Sequence, residues 1–225
     1  MEQPDIHTEK SASQLEKERF RRSLLFPLLF IAILWIVKFA ETAFQFDLYF
    51  LGIYPRTLKG LPGIITSPFI HGSYKHLFNN TFPLLFLSVA LFYFYRPIHF
   101  KVFWYSYLFT GICVWAGARA SWHIGASGLI YGLAAFLFLS GIIRNNIRLM
   151  AISLIVTFLY GSMIWGILPL NGKISWESHL WGAISGLVLA FIYRKYGPKR
   201  KIYEWEWEEE EEEEESDVEG NEEKI

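Results

Sequence analysis

The chain has 225 residues, 52% hydrophobic, 18% aromatic and only 19% charged: one domain by length, and too apolar for an ordinary water-soluble one. Its formal net charge of -1 is a cancellation, because residues 203–225 hold 14 of the 22 acidic residues while positions 1–202 carry a balance of +12. No Asp or Glu occurs between Asp47 and Glu177, and Cys113 is the single cysteine, which excludes disulfides within the chain and cysteine metal clusters.

Residues 1–23 form a polar N-terminal segment. Apolar runs follow at about Leu24 to Ala40, Leu77 to Tyr95, Val102 to Ala118, Ser127 to Ile143, Leu149 to Leu168 and Ser178 to Tyr193, and these six stretches are long enough to predict transmembrane helices. A cleaved signal peptide is the competing reading of the first run, but its polar lead of more than twenty residues and the Lys38 inside it fit a signal anchor better. The second, third and fourth runs are followed by short connections, so these helices should be antiparallel neighbours. The expected fold class is all-α, a polytopic protein with a six-helix membrane domain at residues 24–195 and a tail at 196–225 that is first basic, then acidic.

Orientation follows from the basic residues. With six spans, the side that holds both termini carries 14 Lys/Arg and the opposite side five, Arg56, Lys59, Lys75, Arg119 and Lys173. Cytoplasmic basic loops are the rule for membrane proteins, so both termini are expected in the cytoplasm, and the second, fourth and sixth helices then start at the outer face. The unbroken Glu208 to Glu215 reads as a solvated, disordered tail, with a basic partner or the protein's own basic juxtamembrane residues as the alternative contact.

Polar groups in or beside a span are costly, which makes them candidate sites. His71, His76 and Asn80 open the second helix, with His76 and Asn80 four apart on one face. Gly125, Ala126, Ser127 and Gly128 open the fourth, with Tyr131 one turn beyond the serine; Ser178 and His179 open the sixth, before Gly182 and Gly186. Each group alone has a bland reading. Gly128 with Gly132, and Gly182 with Gly186, have the spacing that lets membrane helices pack closely, and a histidine at a helix mouth is ordinarily interfacial. Together, at one depth, they supply what acyl transfer needs: Ser127 as nucleophile, His179 as its base, and His76, Asn80 and unpaired N–H groups at the helix start as donors to a developing oxyanion. Gly125 and Gly128 would let a substrate backbone approach closely, and packing of His179 on Tyr131 would orient the ring. Carboxylates are absent from the second to fifth helices, which favours a Ser-His dyad over a triad and removes aspartyl-pair and His-Glu-x-x-His zinc chemistry. No metal is expected.

Taken in order, these residues resemble the rhomboid family of intramembrane serine proteases over about residues 60–193. His71, His76 and Asn80 match its His-x4-His-x3-Asn element, Gly125 to Gly128 its Gly-x-Ser-Gly, Tyr131 its tyrosine four after the serine, and His179, Gly182 and Gly186 its last-helix motif. The resemblance implies a six-helix core, Ser127 as nucleophile, His179 as general base, His76, Asn80 and the Ser127 amide around the oxyanion, and cleavage of single-span membrane proteins in or near their helices without a cofactor. With the charge asymmetry, the site is expected to open to the extracytoplasmic side of the cytoplasmic membrane, with the bilayer and transmembrane substrates as partners and no nucleic acid. Family analogy makes the fifth run, with Phe158, Tyr160 and Trp165, the element that swings to admit substrate. Many members carry a Trp-Arg pair in the first outer loop where this chain has Tyr54, Pro55 and Arg56, so Arg56 is given no such role. Two other readings stay open: an inactive relative that binds membrane-protein clients, and a transporter or channel, which the lack of intramembrane carboxylates disfavours.

Overall fold

A computed structural model describes residues 11–159, 166–168 and 175–198. Residues 1–10, Tyr160 and Trp165, Lys173 and the acidic tail lie outside the described residues, as does the expectation that the tail is disordered. Among the described residues six long helices carry the fold: α1 Ala12–Ala43, α2 Tyr74–Phe94, α3 His99–Gly117, α4 Ser127–Ile143, α5 Ile147–Leu159 and α6 Trp176–Ile192. Among the described residues there is no β-strand; one isolated bridge pairs Ile53 with His123.

The helix starts follow local chemistry. Ser11 and Gln14 form a reciprocal capping box, so α1 begins twelve residues before the apolar run expected at Leu24. At about 1.5 Å per residue its 32 residues rise about 48 Å, more than a hydrocarbon core of about 30 Å, and the excess is its charged first third. Ser73 caps α2 by accepting from the amide of His76 at 3.1 Å, which starts the helix at Tyr74. His71, expected to open this helix, therefore lies in the loop before it, and only His76 and Asn80 share its face. By length and composition α1 and α2 can each cross a bilayer, and α4 is a shorter apolar helix of 17 residues.

Central in the bundle is α4, with 11 of its 17 residues buried and α2, α3, α5 and α6 packed around it. Its closest partner is α6. A Cβ at Gly182 would collide with the carbonyl of Gly128, and one at Gly186 with the carbonyl of Gly132, so the two glycine pairs let these helices approach backbone to backbone. In lipid the hydrophobic effect does not drive helices together; close packing and interhelical hydrogen bonds of about 0.6–2 kcal/mol each do. Such bonds join Ser106 to Ser185 at 2.9 Å and donate from Tyr95 to Ser140 at 2.7 Å. Apolar side chains of α1 such as Leu25, Leu29, Ile36 and Phe39 stay exposed, a surface suited to acyl chains.

Between α1 and α2 the chain folds into short turns, including one α-helical turn at Gly63–Thr66. Backbone bonds fasten this loop: Ile53 and His123 exchange amide and carbonyl bonds at 2.9 and 2.8 Å, and Gly125 donates to the carbonyl of Ser67 at 2.9 Å. Arg56 is exposed, has φ +57° and gives its amide to the carbonyl of Trp115.

Candidate active site

Ser127 is the first residue of α4 and His179 lies in the first turn of α6. The close contact between those helices brings the side chains together: Nε2 of His179 stands 2.8 Å from Oγ of Ser127. The other ring nitrogen, Nδ1, lies 2.8 Å from the carbonyl oxygen of Gly166. A carbonyl can only accept, so Nδ1 carries the proton and Nε2 presents a lone pair to the serine hydroxyl, the tautomer a general base requires. Tyr131 stacks on the imidazole, centroids 4.2 Å apart and planes 10° from parallel. His179 is buried, and Ser127 half-buried.

The second group meets the first through Gly125. That residue has φ +101°, in the left-handed region that favours glycine, and a Cβ there would stand 2.8 Å from Cε1 of His76, 2.9 Å from its Nε2 and 3.6 Å from Nδ2 of Asn80. His76 and Asn80 thus line the backbone two residues before Ser127. Asn80 is buried and donates one amide N–H to Nε2 of His71 at 3.0 Å, which requires a neutral imidazole and leaves the second N–H free for another acceptor. His71 also stacks edge-on against His76 at 5.0 Å. Burial pulls His71 far below the usual histidine range, to about 3, and nearby His76 acts in the same direction.

Ser127, His179 and Tyr131 form one cluster, His76, Asn80 and Gly125 a second beside it, and Gly128 packs against Thr110 and the Ser178 carbonyl on α6. The last helix starts at Trp176, two residues before the apolar run expected at Ser178, so Glu177 lies inside it, and its buried carboxylate faces Arg119 at 3.6 Å. Sequence reasoning missed the Gly166 carbonyl, which has no side-chain signature, and His123, whose ring bridges Ser175 and the Arg119 carbonyl. Among the described residues no group of three His, Cys, Asp or Glu could hold a metal ion.

The family model for the rhomboid domain matches residues 59–196. Relatives of similar length include uncharacterized proteins of Mycobacterium tuberculosis and Mycobacterium bovis, each 33% identical over 186 residues that cover 77% of this chain and 75% of theirs. Another, of Mycobacterium leprae, is 34% identical over 77% of this chain and 72% of its own. The chain belongs to the rhomboid family, and is therefore an integral, polytopic membrane protein. The family consists in general of serine intramembrane proteases and includes inactive members.

Proposed function

We propose that this protein is an active intramembrane serine endopeptidase that cuts single-span membrane proteins in or near their helices, with Ser127 and His179 as its dyad. One observation carries the reading: Nε2 of His179 sits 2.8 Å from Oγ of Ser127 while Nδ1 is held by the Gly166 carbonyl. The Ser127 hydroxyl attacks the scissile carbonyl as its proton passes to Nε2. Negative charge then develops on the carbonyl oxygen, and the free N–H of Asn80, His76 and the Ser127 amide at the unpaired start of α4 are the donors available to it. Imidazolium returns the proton to the leaving amine, and water repeats the sequence on the acyl-enzyme. The Gly166 carbonyl does the orienting work that a carboxylate does in a triad.

Six spans, cytoplasmic termini and an outward-facing site in the cytoplasmic membrane complete the proposal, supported by the 14 to 5 partition of basic residues. The 17 residues of α4 rise about 25 Å, less than a hydrocarbon core of about 30 Å. A helix of that length reaching the cytoplasmic face leaves Ser127 below the outer surface, in a pocket that must hold water.

Full-length protein in liposomes should cut a model single-span substrate, and Ser127→Ala should lower kcat by about 10⁶-fold without changing the melting temperature in detergent. Equal cleavage by the variant would refute the assignment. Absence of cleavage and of fluorophosphonate labelling in the wild type would favour an inactive client-binding relative.

A further inference from the structure

A second set of polar contacts lies just upstream of the dyad, between the loop that leads into α4 and the first turn of α6. Ser175 occupies the N-cap position of α6, yet its hydroxyl makes no capping bond to the helix amides. It lies instead 2.5 Å from Nδ1 of His123 and 2.6 Å from Oγ of Ser178. His123 is buried, and its Nε2 stands 3.1 Å from the carbonyl of Arg119. That carbonyl must accept, so Nε2 carries the proton and Nδ1 accepts from Ser175, which in turn accepts from Ser178. Alongside, Arg119 faces the Glu177 carboxylate through its guanidinium at 3.6 Å and its amide at 3.4 Å. Glu177, in the first turn, also suits the positive end of the helix.

Three cross-links therefore join the same two short segments: Arg119 to Glu177, His123 to Ser175, and Ser127 to His179. The loop side is held independently, because His123 is bonded through its backbone to Ile53 and Gly125 to Ser67. On the far side of His179, Gly182 meets the Gly128 carbonyl. The base is thus bracketed, with the polar contacts before it and the glycine contact after it. Neither alone sets the ring against Ser127: the glycine contact fixes how close the helices come, and the polar contacts fix how far α6 has slid or turned at its first turn.

We propose that Arg119, His123, Ser175 and Glu177 are positioning residues that hold the imidazole of His179 in register with Ser127. The inference rests on the reading of these two as a catalytic dyad, and it concerns residues outside that dyad and outside the oxyanion donors. Displacement of a catalytic group by about 1 Å costs up to about 10²-fold in rate, so loosening the bracket acts on kcat rather than on substrate binding.

The test uses full-length protein in detergent and liposomes, with Ser175→Ala and Glu177→Gln as disrupting variants and Ser175→Thr as the conservative one. Expected are a fall in kcat of about 10- to 100-fold with KM within about twofold for the disrupting variants, an equal fall in the rate of fluorophosphonate labelling at Ser127, and recovery in Ser175→Thr. Nitrogen-15 spectra of histidine-labelled protein should show His179 as the Nδ1–H tautomer in the wild type, with mixed tautomers in Ser175→Ala. A folded Ser175→Ala and Glu177→Gln with unchanged kcat, labelling rate and His179 tautomer would overturn the proposal, as would a rise in KM at constant kcat. The tautomer readout needs no turnover: a wild type that shows the expected tautomer, lost in Ser175→Ala, but never cleaves would sink the protease reading and leave the positioning role standing.

Discussion

At the scale of single residues, the roles expected of the site divide by what each atom can donate or accept. Asn80 gives one N–H to His71 and keeps the other, while Gly125 clears the space in which His76 and Asn80 stand. In the proposed mechanism, replacing Asn80 by alanine removes an oxyanion donor, and it leaves the Nε2 of buried His71 without its Asn80 partner. Loss of one such donor costs about 10²–10³ in kcat, so Asn80→Ala should show that fall with KM little changed, measured on a cleavable single-span substrate; a variant within threefold of wild type would remove Asn80 from the oxyanion.

Between elements, the contact of α4 with α6 holds the bundle together and brings His179 to Ser127. The Cβ positions at Gly182 and Gly186 point into backbone carbonyls rather than into flexible side-chain ends, so the helices can admit a larger residue only by separating. Gly186→Leu should destabilise the bundle by about 1–3 kcal/mol, as overpacking does in well-packed cores. Separation would also lengthen the 2.8 Å reach from His179 to Ser127. Thermal unfolding in detergent and fluorophosphonate labelling, followed together, should fall together. Unchanged melting with intact labelling would show that the glycines are not the contact that sets this distance.

For the whole molecule, pH tests how the loops at the Ser127 end and the bundle depend on each other. His71 and His123, both in loops at the site end, are buried, and burial lowers both below the ordinary histidine value of 6.5. In the unfolded chain each binds a proton near that value; in the folded chain His71 does so only near 3. Their stabilising contribution is therefore present above about pH 6.5 and is lost as pH falls below that, for His71 down to about 3. Protonated His71 would donate from both ring nitrogens, so Asn80 would have to turn its oxygen toward it and its N–H groups away. Melting temperature in detergent should fall between pH 7 and pH 4, and fall less in a His71→Gln His123→Gln double variant; equal pH dependence in both proteins would refute the assignment.

Much was legible in the sequence because a bilayer imposes a simple rule. Backbone groups must be satisfied within each span and polar side chains are costly there, so the apolar runs located the helices, and the exceptions, His76, Asn80, Ser127 and His179, are side chains that the fold gathers near the start of α4. The start of α2 was misjudged at His71 because the Ser73 cap, a local hydrogen bond, decides that boundary. Glu177 stood out as the sole carboxylate after Asp47 within the body of the chain, but its partner Arg119 lies 58 residues away, which no local pattern encodes. What only the tertiary structure decided is which nitrogen of His179 faces the serine. That choice depends on a backbone carbonyl at Gly166 and on two glycine contacts that draw α4 and α6 together, and neither a carbonyl's direction nor a helix separation is written in residue types.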